Sequence, residues 1–368
     1  MAAIISGNEL GLFNNPLASR NDPNVGRPGQ SDAVYVNSAT GNLVIQAKDE
    51  YLARLGPDLA LVRTYNSLGQ FSDDNGDNWR LSVNRRVYGL TGTVNTAGST
   101  ITKEFGDGAQ VTYAYDAALA LYISSDGDGA HDTLAFNETT GEWTWIDGSR
   151  RASETYNSSG QLIASRDPDG NLTTYGYTGD LLTQITDPAG QVTTLVYDGT
   201  NLSRIEVTSG GQVQTLTRYT YDAQNRLEQV TVDLSPEDNA VADGNTYVTT
   251  YTYDGSSKRV ASITQGDGST VAFTYELING QYLIKTYTDG AGKVTTLTYS
   301  QTTGGGGATV NANGGVLSTT ETQTTTTTVP PYYTVQAGDT WASITQTIYG
   351  TSDAEAIAAL QAATGNPS

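Results

Sequence analysis

The fold is decided by the stretch Val192-Thr193-Thr194-Leu195-Val196-Tyr197-Asp198-Gly199, because its pattern recurs along the chain. Each copy predicts a strand that ends in Tyr and an acidic or small polar residue, then a turn, then an aliphatic residue that opens the return strand. Self-similarity of this kind predicts stacked hairpin units that bury a shared face only together. The seven endings are Tyr115-Asp116, Tyr177-Thr178, Tyr197-Asp198, Tyr221-Asp222, Tyr253-Asp254, Tyr275-Glu276 and Tyr299-Ser300.

The residues two and four positions before each Tyr are expected to share its face, because side chains alternate across a strand. These positions hold Thr, Val, Leu, Tyr or Phe in every copy. The pattern therefore predicts tyrosines of successive hairpins aligned along one surface. The seven sets are Val111/Tyr113/Tyr115, Thr173/Tyr175/Tyr177, Thr193/Leu195/Tyr197, Thr217/Tyr219/Tyr221, Thr249/Tyr251/Tyr253, Val271/Phe273/Tyr275 and Thr295/Leu297/Tyr299.

Turn residues separate the predicted strands. Asp167-Pro168-Asp169-Gly170 and Asp187-Pro188-Ala189-Gly190 place Pro where a turn fixes φ and Gly where it needs a positive φ. The Asp after each Tyr is expected to accept hydrogen bonds from turn N–H groups, which explains its recurrence without catalysis.

These residues resemble the YD repeats of Rhs, insecticidal Tc-toxin and teneurin proteins. The copy Tyr221-Asp222-Ala223-Gln224-Asn225-Arg226-Leu227 is similar to the usual Tyr-Asp-x-x-Gly-Arg-Leu and departs from it at Asn225. The resemblance implies an all-β fold: an antiparallel hairpin-repeat sheet that forms a partial, open shell or spiral. In long members of the family, such a sheet closes into a hollow shell around a toxic cargo domain.

An earlier region also resembles this family. Val34–Ile45 predicts a strand, a turn and a strand, and the run Arg63-Thr64-Tyr65-Asn66-Ser67 with the later Trp79 is similar to the N-terminal region of large bacterial Rhs-type proteins. An ordinary β domain packed under the first repeat predicts almost the same pattern, so both interpretations stay open.

Composition narrows the possible partners. The 368 residues carry 39 Asp and Glu against 19 Lys and Arg, a net charge of −20. This charge opposes binding to nucleic acid or to anionic membranes. No apolar run is long enough for a transmembrane helix, and the first residues lack the basic and apolar regions of a conventional signal peptide. An extracellular or cell-surface location is expected, and a cytoplasmic one stays open.

Catalytic and metal signals are weak. The chain has no Cys and one His, His131, which excludes a His-paired zinc site and a Cys nucleophile. No Glu lies in a recognisable glycosidase motif. Asp73, Asn75 and Asp77 have the spacing of a calcium loop, but Asn78 and Asn84 replace its Gly and its Glu. No enzymatic activity and no cofactor are predicted, with calcium as the one candidate metal.

The C-terminal segment differs from the rest. Tyr333, Val335, Gly338, Asp339 and Thr340 match the Tyr-x-Val-x-x-Gly-Asp-Thr opening of a LysM module. Asp339 or Thr340 can cap a helix that carries Trp341, Ile344 and Ile348. The resemblance implies binding of N-acetylglucosamine glycans such as peptidoglycan or chitin, through Gly338, Asp339, Thr340 and Trp341 in one loop and Asn366 and Pro367 in another.

The LysM resemblance stops at Ser368, before the second strand of that fold. We expect either a fragment of a longer protein or an impaired module, and therefore weak or absent glycan binding, because a lone edge strand holds the helices poorly.

The sequence thus predicts five segments and leaves three functions open. The segments are a loose arm over 1–30, a Rhs-type β region over 31–100, a YD-repeat sheet over 101–300, a Gly/Thr/Pro linker over 301–331 and a truncated LysM module over 332–368. The first hypothesis is a non-enzymatic secreted or surface scaffold with a glycan-binding module. The alternatives are the N-terminal part of a polymorphic toxin shell and a LysM-targeted cell-wall hydrolase. Self-association through sheet edges is also expected.

Overall fold

The computed structural model confirms the predicted all-β repeat fold. It describes residues 3–5, 33–37, 41–52, 59–69, 75–124, 131–209, 211–278, 280–292, 294–302, 305–312, 338–349, 352 and 354–363. Within these residues the chain forms 25 strands and two helices.

The first five strands form an N-terminal sheet in the order β1-β2-β3-β4-β5. Strand β1 pairs with β2 in parallel, and the other pairs are antiparallel. The strands are β1 Ala3–Ile5, β2 Ala33–Asn37, β3 Asn42–Leu52, β4 Leu59–Asn66 and β5 Trp79–Leu81.

The next twenty strands form the repeat sheet, in which each strand pairs antiparallel with the next one along the chain. Strand β25 lies inside the segment for which a linker was predicted. The strands are β6 Arg86–Thr91, β7 Thr100–Glu104, β8 Gln110–Asp116, β9 Leu121–Ile123, β10 Thr133–Asn137, β11 Glu142–Ile146, β12 Ser153–Tyr156, β13 Leu162–Arg166, β14 Leu172–Thr178, β15 Leu181–Thr186, β16 Val192–Asp198, β17 Asn201–Ser209, β18 Gln212–Tyr221, β19 Leu227–Asp233, β20 Thr246–Tyr253, β21 Val260–Thr264, β22 Thr270–Ile278, β23 Gln281–Thr288, β24 Val294–Thr302 and β25 Gly305–Ala312.

The shared face predicted from the repeat is confirmed. The middle residue of every set is buried, as Tyr251 is between the exposed Thr252 and the half-buried Thr250. The Tyr that ends each of the first six sets packs against the same hydrophobic core, and the side chain of Tyr299 lies outside the described residues. This core runs unbroken from Val34 in the N-terminal sheet to Leu297 in the repeat sheet. The two sheets are therefore packed on each other.

A β-bulge explains why buried and exposed side chains do not alternate strictly along the return strands. The register shifts immediately before Tyr177, Tyr197, Tyr221, Tyr253 and Tyr275. One extra residue on the return strand faces a single residue of the Tyr strand, so buried positions there recur three apart. The buried pairs are Leu182/Ile185, Leu202/Ile205, Leu227/Val230, Val260/Ile263 and Ile284/Tyr287.

The structure corrects the count of seven copies, because an eighth copy ends at Tyr156. The register shifts between Thr155 and Tyr156, and Leu162 opens the return strand with its side chain fully buried. Asn157 replaces the Asp, and its Oδ1 accepts the N–H groups of Ser159 and Gln161. The prediction did not count this copy, although Asn157 is a small polar residue and its side chain makes the same turn as Asp.

The tyrosine hydroxyls connect successive repeats. Tyr221 donates to the carbonyl oxygen of Leu202 at 3.0 Å, and Tyr253 donates to that of Leu227 at 2.6 Å. Tyr275 donates in the same way to Val260, at 2.8 Å. Each acceptor is the first aliphatic residue of the return strand in the preceding copy, so the hydroxyl fastens that bulge to the next hairpin.

The turn after Tyr221 shows the local role predicted for the acid. Asp222 Oδ1 accepts the N–H groups of Gln224 and Arg226, and Asp222 Oδ2 accepts Arg226 Nε at 2.8 Å. Asn225 has a φ of 63°, which explains why Gly is usual at this position and why Asn is tolerated there. Arg226 also donates from Nη1 to the carbonyl oxygens of Gly255 and Ser257 in the next turn.

The expected open sheet closes on itself near its start. Arg86 of β6 forms an antiparallel bridge with Gln161, and Val87 donates its N–H to Gly160 at 3.0 Å. Gly160 has a φ of 79°, and a Cβ there would overlap the carbonyl oxygen of Val87. Strands β6 to β13 thus complete one turn, beyond which β14 to β25 continue the sheet. This arrangement is the spiral form of the predicted repeat sheet.

Two helices follow the repeat sheet along the chain, α1 Trp341–Tyr349 and α2 Ala354–Ala363. They contact each other, and the side chains described in them include one buried aliphatic residue each, Ile344 in α1 and Leu360 in α2. Within the described residues, neither helix is long and apolar enough to cross a membrane.

Candidate functional site: the docking face of the repeat sheet

The richest polar chemistry lies where the N-terminal sheet docks on strands β18 to β23. Arg63 of β4 donates to the hydroxyl of Tyr251 at 2.7 Å. Tyr65, also in β4, donates to the carbonyl oxygen of Lys258 and accepts the N–H of Val260, both at 3.0 Å. The site therefore joins residues that lie nearly two hundred positions apart in sequence.

A bulge in β3 brings two consecutive acids to this interface. The register between β3 and β4 shifts between Lys48 and Glu50, which leaves Asp49 without a partner in the ladder. In a regular strand, Asp49 and Glu50 would face opposite sides, but the bulge lets both meet β18. The hydroxyl of Tyr219 donates to Asp49 Oδ2 at 2.6 Å, and Thr217 Oγ1 lies 2.6 Å from Glu50 Oε1.

The Arg63 guanidinium is held between this acid pair and three aromatic rings. Its Nη1 lies 2.9 Å from the Asp49 carboxylate. Its Cζ lies 4.8 Å from the centre of the Trp79 ring, 5.4 Å from that of Tyr251 and 5.8 Å from that of Tyr219. Aromatic faces and a carboxylate together compensate a buried cation. We call Asp49, Glu50, Arg63, Thr217 and Tyr219 the plug cluster.

Burial raises the pKa of both acids. Desolvation raises the pKa of Asp49, although Arg63 and the Tyr219 hydroxyl oppose the shift. Desolvation also raises the pKa of Glu50 to about 8, a shift that the Thr217 hydrogen bond opposes and the nearby Asp49 and Asp233 carboxylates increase. Glu50 is therefore mainly protonated at neutral pH.

Asp77 and Trp79 form a second clip between the sheets. Asp77 accepts the N–H of Trp79 through Oδ1 and the N–H of Leu227 in β19 through Oδ2, both at 3.0 Å. The Trp79 indole N–H donates to the hydroxyl of Tyr253 at 3.1 Å. Burial raises the pKa of Asp77 to about 6, against the hydrogen bonds that it accepts.

The calcium candidate lies partly in this clip. Asp73 is outside the described residues, and Asp77 uses both carboxylate oxygens on backbone N–H groups. Asn75 donates from Nδ2 to Asn201 Oδ1 at 2.9 Å and to the carbonyl oxygen of Asn225 at 3.1 Å. Within the described ranges, no three acidic or His side chains gather into a metal-binding group.

A second buried charge group lies beside the closure of the sheet. Lys103 of β7 is fully buried, and its Nζ lies 2.8 Å from Glu154 Oε2 and 3.2 Å from the centre of the Trp145 ring. Arg85 pairs with the other oxygen of Glu154, and the hydroxyl of Tyr156 donates to Oε2. We call Arg85, Lys103, Glu154 and Tyr156 the closure cluster.

The electrostatics of the closure cluster follow from its two cations. Burial opposes ionisation of Glu154, but Lys103 and Arg85 outweigh it and hold the pKa of Glu154 at about 2. Desolvation lowers the pKa of Lys103 to about 8, against the attraction of Glu154. The cluster therefore joins β7 to β12, which are not neighbours in the sheet, through a carboxylate that stays ionised.

The residues predicted for glycan binding lie apart in the chain from this docking face. Gly338 has a φ of 99° and precedes Thr340, which caps α1. Thr340 Oγ1 accepts the N–H of Ser343 at 3.1 Å, and Ser343 Oγ accepts the N–H of Thr340 at 2.9 Å. This capping box confirms Thr340 as the helix cap. Trp341 is half-buried and Asp339 lies before the cap. The predicted first strand, Asn366 and Pro367 lie outside the described residues.

The plug cluster was not predicted from the sequence. The signal was Lys48-Asp49-Glu50, three consecutive charges inside an otherwise strand-like run. Adjacent acids in a buried strand indicate a bulge and a polar partner, but the sequence does not reveal that Thr217 and Tyr219 supply it.

The geometry defines the class of protein: a spiral β-repeat sheet with an N-terminal sheet docked on its tyrosine face. Two family models match parts of the chain. A domain of unknown function, DUF6531, matches residues 34–113, and the RHS Repeat matches residues 156–181, which begin at the eighth copy. These matches support a Rhs-type, YD-repeat protein.

Solved structures of Tc toxins show low similarity. The crystal structure of TcdB2-TccC3-Cdc42 is 15% identical, with a TM-score of 0.30, and the match covers 70% of this chain and 17% of that chain. The crystal structure of TcdB2-TccC3 is 14% identical, with a TM-score of 0.28, and the match covers 73% of this chain and 20% of that chain. A structure of the Photorhabdus luminescens Tc holotoxin pore is 16% identical, with a TM-score of 0.30, and the match covers 72% of this chain and 17% of that chain.

The chain thus spans a fifth or less of the length of these Tc-toxin chains. TM-scores below 0.5 do not establish a shared overall fold, so the class rests on the two family matches and the geometry. No curated protein matches the chain.

Proposed function

We propose that the chain is a non-enzymatic scaffold that forms the opening part of a Rhs-type shell, with the N-terminal sheet as a plug in the curl of the repeat sheet. The observation that carries this proposal is the continuous core shared by the two sheets, fastened by the plug cluster and by the Asp77–Trp79 clip. A plug of this kind stabilises strands β18 to β20, because it covers the tyrosine face that they present.

Hydrogen exchange of the whole chain tests the plug. We expect the amides of β3 and β4 to exchange as slowly as those of β18 to β21, because the two sheets open together. Arg63→Ala is expected to speed exchange in β3 and β4 at least about tenfold, since it leaves the acid pair without its cation. The matched control is Arg204→Ala, which removes a half-exposed arginine paired with Glu206. Free exchange of β3 and β4 in the unaltered chain contradicts the proposal.

The scaffold is proposed to act outside the cell or at its surface and to lack catalysis. Turbidity of a peptidoglycan suspension checks the second point. We expect it to stay constant with added protein, and clearance of the suspension would instead favour the cell-wall hydrolase considered above.

Glycan binding is a second candidate function. The observation in its favour is the capped start of α1, which places Gly338, Asp339, Thr340 and Trp341 at a helix N-terminus as the LysM resemblance implies. We expect weak retention on insoluble peptidoglycan or chitin that is lost in Trp341→Ala and kept in Gln346→Ala, an exposed residue of the same helix. Equal retention of both variants would contradict a LysM-type site.

A further inference from the structure

The plug cluster contains more acid than base. Asp49 and Glu50 are both buried and consecutive, and Arg63 makes its ion pair with Asp49. Within the described part of the chain, the hydrogen-bond partner of the Glu50 carboxyl is Thr217. A second ionised carboxylate in this desolvated place would lack a compensating cation, which is costly in a low dielectric.

While Glu50 is ionised, two acceptors compete for the single hydrogen of the Thr217 hydroxyl. Thr217 Oγ1 lies 2.6 Å from Glu50 Oε1 and 3.4 Å from the carbonyl oxygen of Asp49. A hydroxyl has one hydrogen, so it can donate to only one of these two oxygens. Both contacts are hydrogen bonds when Glu50 is protonated and donates to Thr217, while Thr217 donates to the Asp49 carbonyl.

The other groups around the acid pair come from five strands. Arg63 on β4 and Tyr219 on β18 contact Asp49 directly, and Tyr251 on β20 contacts Arg63. Asp233 at the end of β19 is near enough to repel Glu50, and it is itself paired with Arg218 at 3.2 Å. Lys48 precedes the pair on β3 and is half-buried. Arg218 is thus paired with Asp233 and Arg63 with Asp49, so within the described residues Glu50 is the acid of this group whose carboxyl contacts a hydroxyl and no cation.

We propose that the Asp49–Glu50 pair makes docking of the N-terminal sheet sensitive to pH: the sheet is held while Glu50 carries a proton and loosens when both carboxyls are ionised. This inference rests on the proposed plug. It adds a condition under which the plug is released, namely mildly alkaline solution.

The pH window follows from Glu50. Its pKa is raised from 4.5 to about 8 in the docked state. The contribution to docking is complete below pH 4.5 and is lost as pH rises through about 8. Within that window the equilibrium constant for opening rises by at most about tenfold per pH unit.

Hydrogen exchange of the full chain and of Glu50→Gln, compared at the same pH, tests this inference. Gln has the shape of a protonated Glu and cannot ionise. Between about pH 6 and pH 8, we expect the exchange rate of β3 and β4 in the wild type to rise roughly 10- to 100-fold relative to the variant. Comparison at equal pH removes the intrinsic pH dependence of exchange. Glu276→Gln, at an exposed carboxyl paired with Lys285, is the control and should follow the wild type.

Each outcome distinguishes the two proposals. If the exchange rates of β3 and β4 depend on pH in the same way in the wild type and in Glu50→Gln, and both sheets are protected, the proposed pH sensitivity is wrong and the plug proposal stands. A Glu50→Gln chain that fails to dock also overturns it, because the neutral form must be the docked form. Unprotected β3 and β4 in the wild type at about pH 6 would instead refute the plug itself.

Discussion

The plug cluster and the closure cluster are mirror images in charge. The plug cluster places two carboxyls around one guanidinium, whereas the closure cluster places two cations around one carboxylate. Both are buried, and both join strands that are not neighbours in a sheet. In each cluster, burial shifts the pKa of one group of the excess sign toward its neutral form. The pKa of Glu50 is raised, which favours uptake of a proton, and the pKa of Lys103 is lowered, which favours loss of one.

This difference gives the two clusters opposite dependence on pH. The raised pKa of Glu50 means that its contribution to stability is lost as pH rises from 4.5 to about 8. The lowered pKa of Lys103 means that its contribution is present above 10.5 and is lost as pH falls through about 8. Stability is therefore expected to pass through a minimum near the pH at which both groups titrate.

The largest effect should come from removal of the shared carboxylate in the closure cluster. Glu154→Ala leaves the fully buried Lys103 and the half-buried Arg85 without an anion, and Arg85 cannot lose its proton. We expect a loss of about 3–5 kcal/mol in the free energy of unfolding by urea titration. Glu276→Ala, which breaks a solvent-exposed pair with Lys285, should cost less than about 1 kcal/mol. A similar loss of stability in both variants would contradict the expectation that the buried Glu154 contributes more than the exposed Glu276.

A smaller effect is expected when the central cation of the plug cluster is removed. Arg63→Ala leaves Asp49 unpaired, but a carboxyl can take up a proton and so avoid an uncompensated charge. We expect a loss of about 2–3 kcal/mol at neutral pH. The loss should shrink at lower pH, where Asp49 is protonated. Urea titrations at two pH values measure this, and a loss that is independent of pH would contradict the role of Asp49.

The slope of stability with pH sharpens the comparison further. Lys103→Met keeps an apolar side chain against Trp145 and removes the titrating amine. Between pH 8 and 10.5, the wild type should gain roughly 2 kcal/mol relative to this variant. The measurement is the difference between the two unfolding free energies across this range. A constant difference would show that the Lys103 amine does not titrate there.

The smallest effect concerns a single repeat hydroxyl. Tyr221→Phe removes the donor to the Leu202 carbonyl oxygen, at a cost of about 1 kcal/mol. Tyr88→Phe, at an exposed tyrosine on the closing strand, should change stability by less than about 0.5 kcal/mol. Equal costs would mean that the hydroxyls do not fasten the bulges.

The sequence was sufficient for the repeat sheet and insufficient for the docking. Local periodicity predicted the face of Thr249, Tyr251 and Tyr253, because that face depends only on alternation along one strand. It did not predict the bulges, since an extra residue in a strand carries no fixed side-chain signature. The count of seven copies also omitted Tyr156, although Asn157 is a small polar residue of the expected kind.

The plug cluster was beyond sequence reasoning for a different reason. Asp49 meets Tyr219 across 170 positions, and no local pattern pairs residues at such a distance. The charges of Asp49 and Glu50 signalled an unusual strand but not its partner. For the candidate glycan site, the sequence predicted a cap at Asp339 or Thr340 and the structure shows it at Thr340, because capping depends on residues three positions apart.

The docking of the two sheets is tested most directly by a double-mutant cycle between Asp49→Asn and Tyr219→Phe. The Tyr219 hydroxyl lies 2.6 Å from Asp49 Oδ2, so the two substitutions should be coupled by about 1.5–3 kcal/mol in the free energy of unfolding. The cycle of Tyr219→Phe with Glu276→Gln serves as the reference and should be additive. A coupling energy near zero for Asp49 and Tyr219 would contradict the docking of the N-terminal sheet on the tyrosine face.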